Sequence, residues 1–370
     1  CEELVNFYLK KINQSKNNSF VETFNDSALS QARTIDKELS VKKYRKLSGL
    51  IVAIKDNICY AGHDVTASSS ILKGFKSVYS ATVVRRLIEH GAIIIGRLNC
   101  DEFAMGSSNE KSTYGPVKNP IDPNKVPGGS SGGSAAAVSE GLCLVSLGSD
   151  TGGSIRQPAA FCGVIGLKPT YSRVSRYGLI AYASSFDQIG PIANNIEDIA
   201  LVLEVISGMD RNDSTSSSLD VPNYTKLNSK RSNKKIAYLS ECINHTGLDP
   251  EIRQNFLLKI DELKHQGLVV EPISFPLLDY LVATYYVLST AEASSNLARF
   301  DGINYSNRAS NVKDLNEAYV LSRNAGFGEE VKRRIMLGTF VLSSGYHDAY
   351  FTKAQKIRRK IRNTIEEVFK

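Results

Sequence analysis

The chain has 370 residues, of which 42% are hydrophobic and 22% are charged. This composition is typical of a globular protein and excludes a wholly disordered chain, a collagen and a coiled coil. The net charge of +7 permits an anionic partner such as RNA but does not demonstrate one. Because the longest apolar runs fall well short of the roughly 20 residues that span a membrane, we expect no membrane partner.

The cysteines and histidines give no sign of a metal centre. The six cysteines are scattered without a Cys-x-x-Cys pair, and the five histidines form no cluster with metal-ligand spacing. In a chain of this length, such cysteines are typical of reduced thiols in a cytosolic type of compartment. We therefore expect neither a metal site nor a disulfide framework.

Helix and strand patterns alternate along the first part of the chain. The first forty residues follow a helical period, and residues 50–54 form an apolar run of strand length that ends at Lys55. A run that is apolar on both faces predicts a strand buried in a helix-covered sheet. Residues 81–90 predict a helix and residues 92–96 the next strand, so the alternation favours an α/β sandwich.

The same alternation continues towards the C-terminus. Residues 142–147 predict a third strand, and residues 195–207 a helix that ends before a glycine. Residues 211–235 are rich in Ser, Asn, Asp and Lys, which predicts a surface linker. Residues 236–270 predict a strand–helix–strand unit, and residues 348–370 one basic amphipathic helix.

Two segments rich in glycine and serine, 127–134 and 148–154, stand next to predicted helix starts. A phosphate-binding loop would use backbone N–H groups there, but neither segment ends in the Gly-Lys-Ser/Thr of a nucleotide-binding loop. Residues 129–133 match the Gly-x-Ser-x-Gly of a hydrolase elbow. That elbow needs a preceding strand, which is not predicted here, and an Asp–His relay has few histidines to use.

A third interpretation is an acyl-transfer site with a serine nucleophile and a lysine base. A serine hydroxyl attacks poorly unless a neighbour removes its proton, and burial must lower the lysine pKa from about 10.4 before a lysine can do so. Lys55 ends a buried strand and meets this demand, Ser154 suits the nucleophile, and Ser130 could relay the proton. Gly152 and Gly153 leave backbone N–H groups bare for a developing oxyanion. The alternative is that Lys55 only pairs with an acid and that the glycines only form tight turns.

These segments resemble the amidase signature family. The resemblance is carried by residues 52–57, 128–134, 148–159 and 163–170. The family has a Ser–cisSer–Lys triad in one α/β/α domain with a large mixed central sheet. The resemblance therefore implies that Ser154 is the nucleophile, that Lys55 is the base, and that Ser130, entered through a cis peptide bond after Gly129, bridges them. It also implies an oxyanion hole made by the backbone N–H groups of Thr151, Gly152 and Gly153.

A narrower resemblance links the chain to the A subunits of glutamyl-tRNA(Gln) amidotransferases. It is carried by residues 105–108, 171–178, 185–191, 291–302 and 330–339. It implies a glutamine site that includes Tyr285 and Arg334, and a guanidinium suits a substrate carboxylate because it can bind both oxygens. Gly106 and Arg156 are further substrate-binding candidates, although Arg156 could equally form a structural ion pair and Tyr285 could belong to the core.

The narrower resemblance also implies an activity and partners. The chain would hydrolyse the side-chain amide of glutamine and supply ammonia within a heterotrimer that contains B and C subunits. The B subunit, with ATP and Mg²⁺, would activate mischarged Glu-tRNA(Gln) or Asp-tRNA(Asn), whereas this chain would bind no cofactor. The expected location is a bacterial-type cytoplasm, with an organellar matrix as the alternative. The competing hypotheses are a stand-alone amidase for small amides and a scaffold subunit without catalytic activity.

The resemblance implies one amidase domain over residues 1–370. Its parts would be a catalytic core at 48–210, the surface linker at 211–235 and a C-terminal part at 236–370. Members of the family continue beyond the position of Lys370 with further strands and an acidic residue for the amino group of glutamine. We therefore expect the C-terminal strands of the sheet to be missing from this sequence, which would then be a fragment.

Overall fold

The computed structural model describes residues 1–226, 235–305 and 307–370. In this part of the chain there are eight strands and twelve α-helices. The strands are β1 Phe20–Thr23, β2 Ile51–Lys55, β3 Ile93–Leu98, β4 Val145–Asp150, β5 Ile165–Gly166, β6 Gln188–Ala193, β7 Ile236–Leu239 and β8 Val270–Ile273. The helices are α1 Glu2–Gln14, α2 Asn25–Ser40, α3 Thr82–Glu89, α4 Gly132–Ser139, α5 Arg156–Phe161, α6 Ile196–Ile206, α7 Ser240–Ile243, α8 Pro250–His265, α9 Leu278–Asn296, α10 Leu315–Gly326, α11 Glu329–Leu342 and α12 Lys353–Val368.

The described residues form two compact units, each made of two stretches of chain. The predicted linker at 211–235 contains Lys226, which is the first residue of the second unit. Residues 227–234 of this linker lie outside the described residues. The organisation as one domain stays a prediction. The units are Cys1–Thr225 with Ser289–Phe340, and Lys226–Leu288 with Val341–Lys370.

The first unit is built on a six-stranded mixed sheet. Its strands lie in the order β1-β3-β2-β4-β6-β5. The three central strands β3, β2 and β4 are parallel, whereas β1, β6 and β5 pair with their neighbours in antiparallel fashion. A mixed sheet of this kind was expected from the sequence.

Both faces of this sheet are covered by helices. In β2, Ile51 and Ala53 pack in one apolar cluster with α1, α2, α4 and α5, whereas Val52 and Ile54 pack in a second cluster with α3 and α6. Because successive side chains of a strand point to opposite faces, these clusters mark the two sides of the sheet. The resulting helix–sheet–helix layers agree with the predicted α/β/α sandwich.

Most predicted elements of the first unit are present, with shifted ends. β4 begins at Val145 rather than at residue 142, because the N–H of Leu142 still donates to the carbonyl of Ala137 at the end of α4. The prediction of helix throughout the first forty residues was wrong at β1, a half-buried edge strand without an apolar run. The strand β6 was not predicted, since Gly190 and Pro191 within it are typical of a turn.

The second unit contains the predicted strand–helix–strand unit. The strands β7 and β8 are parallel, with α7 and α8 between them in the chain. β8 begins at Val270, two residues later than predicted, because the N–H of Leu268 donates to the carbonyl of Leu263 and extends the end of α8. Near the C-terminus, α12 follows a short π-helical turn and covers most of the predicted basic helix.

The parallel pairing of β2 and β4 brings two strand ends together. Lys55 is the last residue of β2 and Asp150 the last of β4, and the pairing of Ile54 with Leu147 puts both at the same edge of the sheet. Loops at the carboxyl ends of parallel strands are where α/β proteins usually bind ligands. None of the described helices has both the length and the apolar character that a bilayer crossing needs.

Candidate active site

The amine of Lys55 lies in a fully buried pocket of serine hydroxyls. Its Nζ is 2.7 Å from Ser130 Oγ, 2.9 Å from Ser131 Oγ and 3.0 Å from Ser149 Oγ. Lys55, Ser130 and Ser131 have no exposed surface. Asn57 donates to Ser149 Oγ at 2.9 Å, so the hydroxyl oxygen of Ser149 is held towards the amine. The structure thus brings together the lysine and the bridging serine that the sequence predicted.

Burial lowers the pKa of Lys55 below its ordinary value, although Cys100, Asp101 and other nearby acidic groups act in the opposite direction. A lower pKa favours the neutral amine, which alone has a lone pair to accept a proton. Within the described residues, Lys55 donates to hydroxyls and forms no ion pair. The alternative that Lys55 only pairs with an acid is therefore not supported.

Ser130, the predicted bridging serine, belongs to a tightly packed turn before α4. The peptide bond between Gly129 and Ser130 is cis, as the family resemblance implies. A Cβ atom on Gly129 would lie 2.1 Å from a carboxylate oxygen of Asp101, so a side chain does not fit there. The N–H of Ser131 donates to the carbonyl of Ser154 at 3.1 Å. This bond joins the turn directly to the predicted nucleophile.

Ser154 lies in the loop between β4 and α5, and 8% of its surface is exposed. The buried carboxylate of Asp150 shapes this loop by accepting the N–H groups of Gly153 at 2.8 Å and Ile155 at 3.1 Å. It also accepts two bonds of 3.0 Å from the guanidinium of Arg156. Although burial acts to raise the pKa of Asp150, these bonds hold it below its ordinary value. Of the two roles considered for Arg156, the contacts favour the structural ion pair.

The predicted oxyanion loop, residues 151–153, contains two N–H groups, those of Thr151 and Gly152, that donate no hydrogen bond within the described residues. Within the described residues, no group accepts a hydrogen bond from the N–H of Thr151 or of Gly152, and Gly152 is exposed. The N–H of Gly153 instead donates to Asp150. Gly153 has a φ of +130°, a conformation that favours glycine. Its contribution to the loop is therefore conformational in this structure, and the oxyanion hole as a whole stays a prediction.

The carboxyl group of Asp187 holds the other side of this loop. It accepts Thr151 Oγ1 at 2.6 Å, the N–H of Tyr182 at 2.9 Å and the N–H of Ala183 at 3.0 Å. Burial raises the pKa of Asp187 to about 6, although these three bonds act in the opposite direction. Through its bond to Thr151, Asp187 holds the loop that precedes Ser154.

Arg334 lies in α11 with 7% of its surface exposed. It donates to Tyr182 Oη at 2.9 Å and to Glu330 Oε1 at 2.9 Å, and its guanidinium lies 5.5 Å from the centre of the Tyr182 ring. A side chain held on two sides in this way has little freedom to rotate. It is suited to present a fixed guanidinium to a carboxylate.

The remaining two substrate-binding candidates are Gly106 and Tyr285, which lie in different surroundings. A Cβ atom on Gly106 would lie 2.3 Å from the carboxylate carbon of Asp101, so Gly106 lies against the side chain that also contacts Gly129. Tyr285 belongs to the second unit, where its ring packs edge-on against Tyr286 with centroids 5.8 Å apart. The substrate-binding role of both residues stays a prediction.

Sequence reasoning assigned no role to several residues that complete the site. Ser131 and Ser149 lie in the segments that resemble the family, yet their contacts with Lys55 were not predicted. The clamping role of Asp150 and the packing of Asp101 against Gly129 were also missed. The available signal was position, since Ser149 and Asp150 end the strand that neighbours β2.

Comparison with known proteins identifies the family. The family model described as "Amidase" matches residues 3–370. The A subunit of the glutamyl-tRNA(Gln) amidotransferase of Chlorobium phaeobacteroides is 52% identical over an alignment of 371 positions, which covers 99% of this chain and 78% of that protein.

Solved structures agree with this result. The crystal structure of the glutamyl-tRNA(Gln) amidotransferase A subunit from Thermotoga maritima is 43% identical with a TM-score of 0.79, covering 99% of this chain and 73% of that one. Native peptide amidase from Stenotrophomonas maltophilia is 29% identical with a TM-score of 0.80, covering 97% and 76%. The predicted fold and both resemblances are confirmed. The chain therefore belongs to the amidase family and, within it, to the A subunits of the glutamyl-tRNA(Gln) amidotransferases.

Proposed function

We propose that this chain is the glutaminase subunit of a tRNA-dependent amidotransferase and that it hydrolyses glutamine through an acyl-enzyme on Ser154. The observation that carries the proposal is the buried amine of Lys55, 2.7 Å from Ser130 Oγ, in a chain about half identical to A subunits of this enzyme. An amidase of this kind needs a nucleophile, a base and a donor for the oxyanion. Each has a candidate at the carboxyl ends of β2 and β4.

The first half of the reaction forms the acyl-enzyme. Ser154 Oγ attacks the amide carbon of glutamine while Ser130 takes its proton and passes its own proton to neutral Lys55. The 2.7 Å separation of Lys55 and Ser130 is within reach for such a transfer. The amide oxygen becomes an oxyanion, and the N–H groups of Thr151 and Gly152 stabilise it.

The second half releases the products. The proton on Lys55 returns through Ser130 to the leaving nitrogen, the carbon–nitrogen bond breaks, and ammonia departs. Water then attacks the ester on Ser154, gives up a proton along the same route, and releases glutamate with a free serine hydroxyl. The new carboxyl group releases its proton to solvent, so that glutamine and water give glutamate, ammonia and one proton.

The partners follow from the name that the relatives share. An A subunit implies further subunits, and we propose that a B subunit receives the ammonia, activates mischarged Glu-tRNA(Gln) or Asp-tRNA(Asn) with ATP and Mg²⁺, and provides most of the contact with tRNA. A small C subunit would complete the heterotrimer. On the same basis we propose action in a bacterial-type cytoplasm or an organellar matrix, and no cofactor bound to this chain.

The test is co-purification of the chain with B and C subunits, followed by assay of glutamine-dependent amidation of each mischarged tRNA. We expect glutamate release and tRNA amidation with wild-type protein and with Ser30→Ala, an exposed serine of α2. We expect both to be lost with Ser154→Ala, since removal of a serine nucleophile costs about 10⁶-fold in rate. Retained glutamine hydrolysis in Ser154→Ala would refute the proposal. Hydrolysis of simple amides with no action on glutamine would favour a stand-alone amidase.

A further inference from the structure

Two distant parts of the first unit are joined through one carboxyl group. Asp187 Oδ1 accepts the hydroxyl of Thr151 at 2.6 Å, and Asp187 Oδ2 accepts the N–H of Tyr182 at 2.9 Å. One oxygen thus holds the loop that precedes Ser154, and the other holds the main chain at Tyr182. Asp187 is 3% exposed, so water is poorly placed to substitute for either bond.

The side chain of Tyr182 extends the connection to α11. Its Oη accepts a bond of 2.9 Å from Arg334 and donates one of 2.9 Å to Ser289, and its ring lies beside the guanidinium. Tyr182 is 1% exposed and is among the largest fully buried side chains among the described residues. The bonds therefore run without interruption from Thr151 through Asp187 and Tyr182 to Arg334.

This arrangement differs from a local structural clamp such as Asp150. Asp150 binds N–H groups and a guanidinium within six residues of itself. Asp187 instead reaches back to Thr151, and Tyr182 reaches forward to Arg334, 152 positions away in sequence. The two ends of the connection are the oxyanion loop and the side chain proposed to bind the glutamine carboxylate.

We propose that Asp187 and Tyr182 are positioning residues. Together they link Arg334, which binds the glutamine carboxylate, to Thr151 in the oxyanion loop, so that carboxylate binding and the position of the loop depend on each other. This inference rests on the proposed function. Because Tyr182 already holds Arg334 and Asp187 already holds Thr151, a carboxylate bound at Arg334 is placed in a fixed position relative to the oxyanion loop. The binding energy of the glutamine carboxylate, which does not react, thereby helps to stabilise the transition state at the amide, and this raises kcat.

A double-mutant cycle in the co-purified complex tests this coupling. Thr151→Val removes the hydroxyl that reaches Asp187, and Tyr182→Phe keeps the ring but removes the bond to Arg334. We expect each change to lower kcat for glutamine about tenfold, and the double variant to be about as slow as either single one, since groups in one hydrogen-bonded chain are not additive. Independent effects would multiply to about 100-fold, and that result would overturn the proposal.

Two controls separate positioning from loss of folding. Thr151→Ser keeps the hydroxyl and should restore nearly wild-type kcat, and Tyr177→Phe changes a tyrosine outside this chain of bonds and should leave kcat unchanged. If Tyr182→Phe reduces the yield of folded protein, the cycle is run with Arg334→Lys in its place. Failure of Thr151→Ser to restore kcat would also count against the proposal.

The same assays distinguish this inference from the proposed function. If Ser154→Ala is inactive and the effects at Thr151 and Tyr182 multiply, the coupling is refuted and the glutaminase proposal stands. If Ser154→Ala still hydrolyses glutamine, the proposed function itself is refuted. Wild-type kcat in both Thr151→Val and Tyr182→Phe would refute the coupling alone.

Discussion

The reaction centre and the proposed glutamine pocket are built in different ways. The centre uses residues that follow two neighbouring parallel strands, and its amine lies among three hydroxyls within 3.0 Å. The pocket depends on Arg334, which lies far along the chain in α11 and is held by Tyr182 from a distant segment and by Glu330 of the same helix. The predicted catalytic residues therefore lie in short motifs, whereas long-range packing positions the arginine that we propose binds the substrate. The variants below separate these two contributions, from the largest expected effect to the smallest.

The largest effect is expected at the base. Lys55→Met keeps the length of the buried side chain but removes the amine, so no group accepts the proton from Ser130. We expect kcat for glutamine hydrolysis to fall about 10⁴-fold, at the upper end for loss of a general base, with little change in KM. Lys10→Met, at an exposed position of α1, is the control and should be fully active. A Lys55→Met enzyme with substantial kcat would mean that another group acts as the base.

The second-largest loss of kcat is expected when the loop between β4 and α5, which contains Ser154, is disturbed. Asp150→Asn replaces a carboxylate that accepts five hydrogen bonds from Gly153, Ile155 and Arg156. We expect kcat to fall about 100-fold, because a misplacement of about 1 Å at a reacting group costs that much. The free energy of unfolding in denaturant should fall by about 2 kcal/mol, as for hydrogen bonds to a charged group.

A matched change on the surface isolates this effect. Asp122→Asn alters a carboxylate that pairs with exposed Lys125 and should change neither quantity measurably. If Asp150→Asn is destabilised but keeps its kcat, the clamp serves stability and does not position Ser154.

A change at Arg334 in the proposed glutamine pocket should reduce activity less than the changes at Lys55 and Asp150. Arg334→Lys keeps the positive charge but loses the planar pair of donors and the bond to Tyr182. We expect kcat/KM for glutamine to fall about 30-fold, since a bond to a charged group contributes about 2 kcal/mol. Arg333→Lys changes the adjacent, 67% exposed arginine and should have no effect. Equal kcat/KM in the two variants would contradict a carboxylate role for Arg334.

The smallest effect is expected at Tyr285. If its hydroxyl binds glutamine, Tyr285→Phe should raise KM about fivefold, as for loss of one neutral hydrogen bond, with kcat unchanged. Tyr286→Phe, at the neighbouring exposed tyrosine, is the control. An unchanged KM in Tyr285→Phe would assign Tyr285 to core packing, which was the alternative considered from the sequence.

The elements predicted correctly share a strong local signal. β2 is apolar on both faces, and α6 has a periodic apolar face and begins after Asn195, whose side chain accepts the N–H of Asp198. β6 lacked such a signal, because its pairing with β4 overrides the turn preference of Gly190 and Pro191. Strand pairing is a long-range property that local patterns do not contain.

The site shows the same division. Lys55, Ser130 and Ser154 were predicted because their segments match a family motif. The partners Ser131 and Ser149 were not, since three hydroxyls meet one amine only after β2 and β4 pair. The bond from Arg334 to Tyr182 joins segments 152 residues apart, and no spacing rule predicts a contact of that kind.

The most direct test of the account is the pH dependence of Ser154 acylation. An electrophilic glutamine analogue is reacted with the co-purified complex across a pH series, and the labelled peptide is identified by mass spectrometry. We predict a label on Ser154, with a rate that falls about tenfold per pH unit below a single pKa, since protonated Lys55 has no lone pair to accept a proton. That pKa should lie below the ordinary value for lysine, because burial lowers the pKa of Lys55. A label on another residue, or a rate independent of pH, would contradict the account.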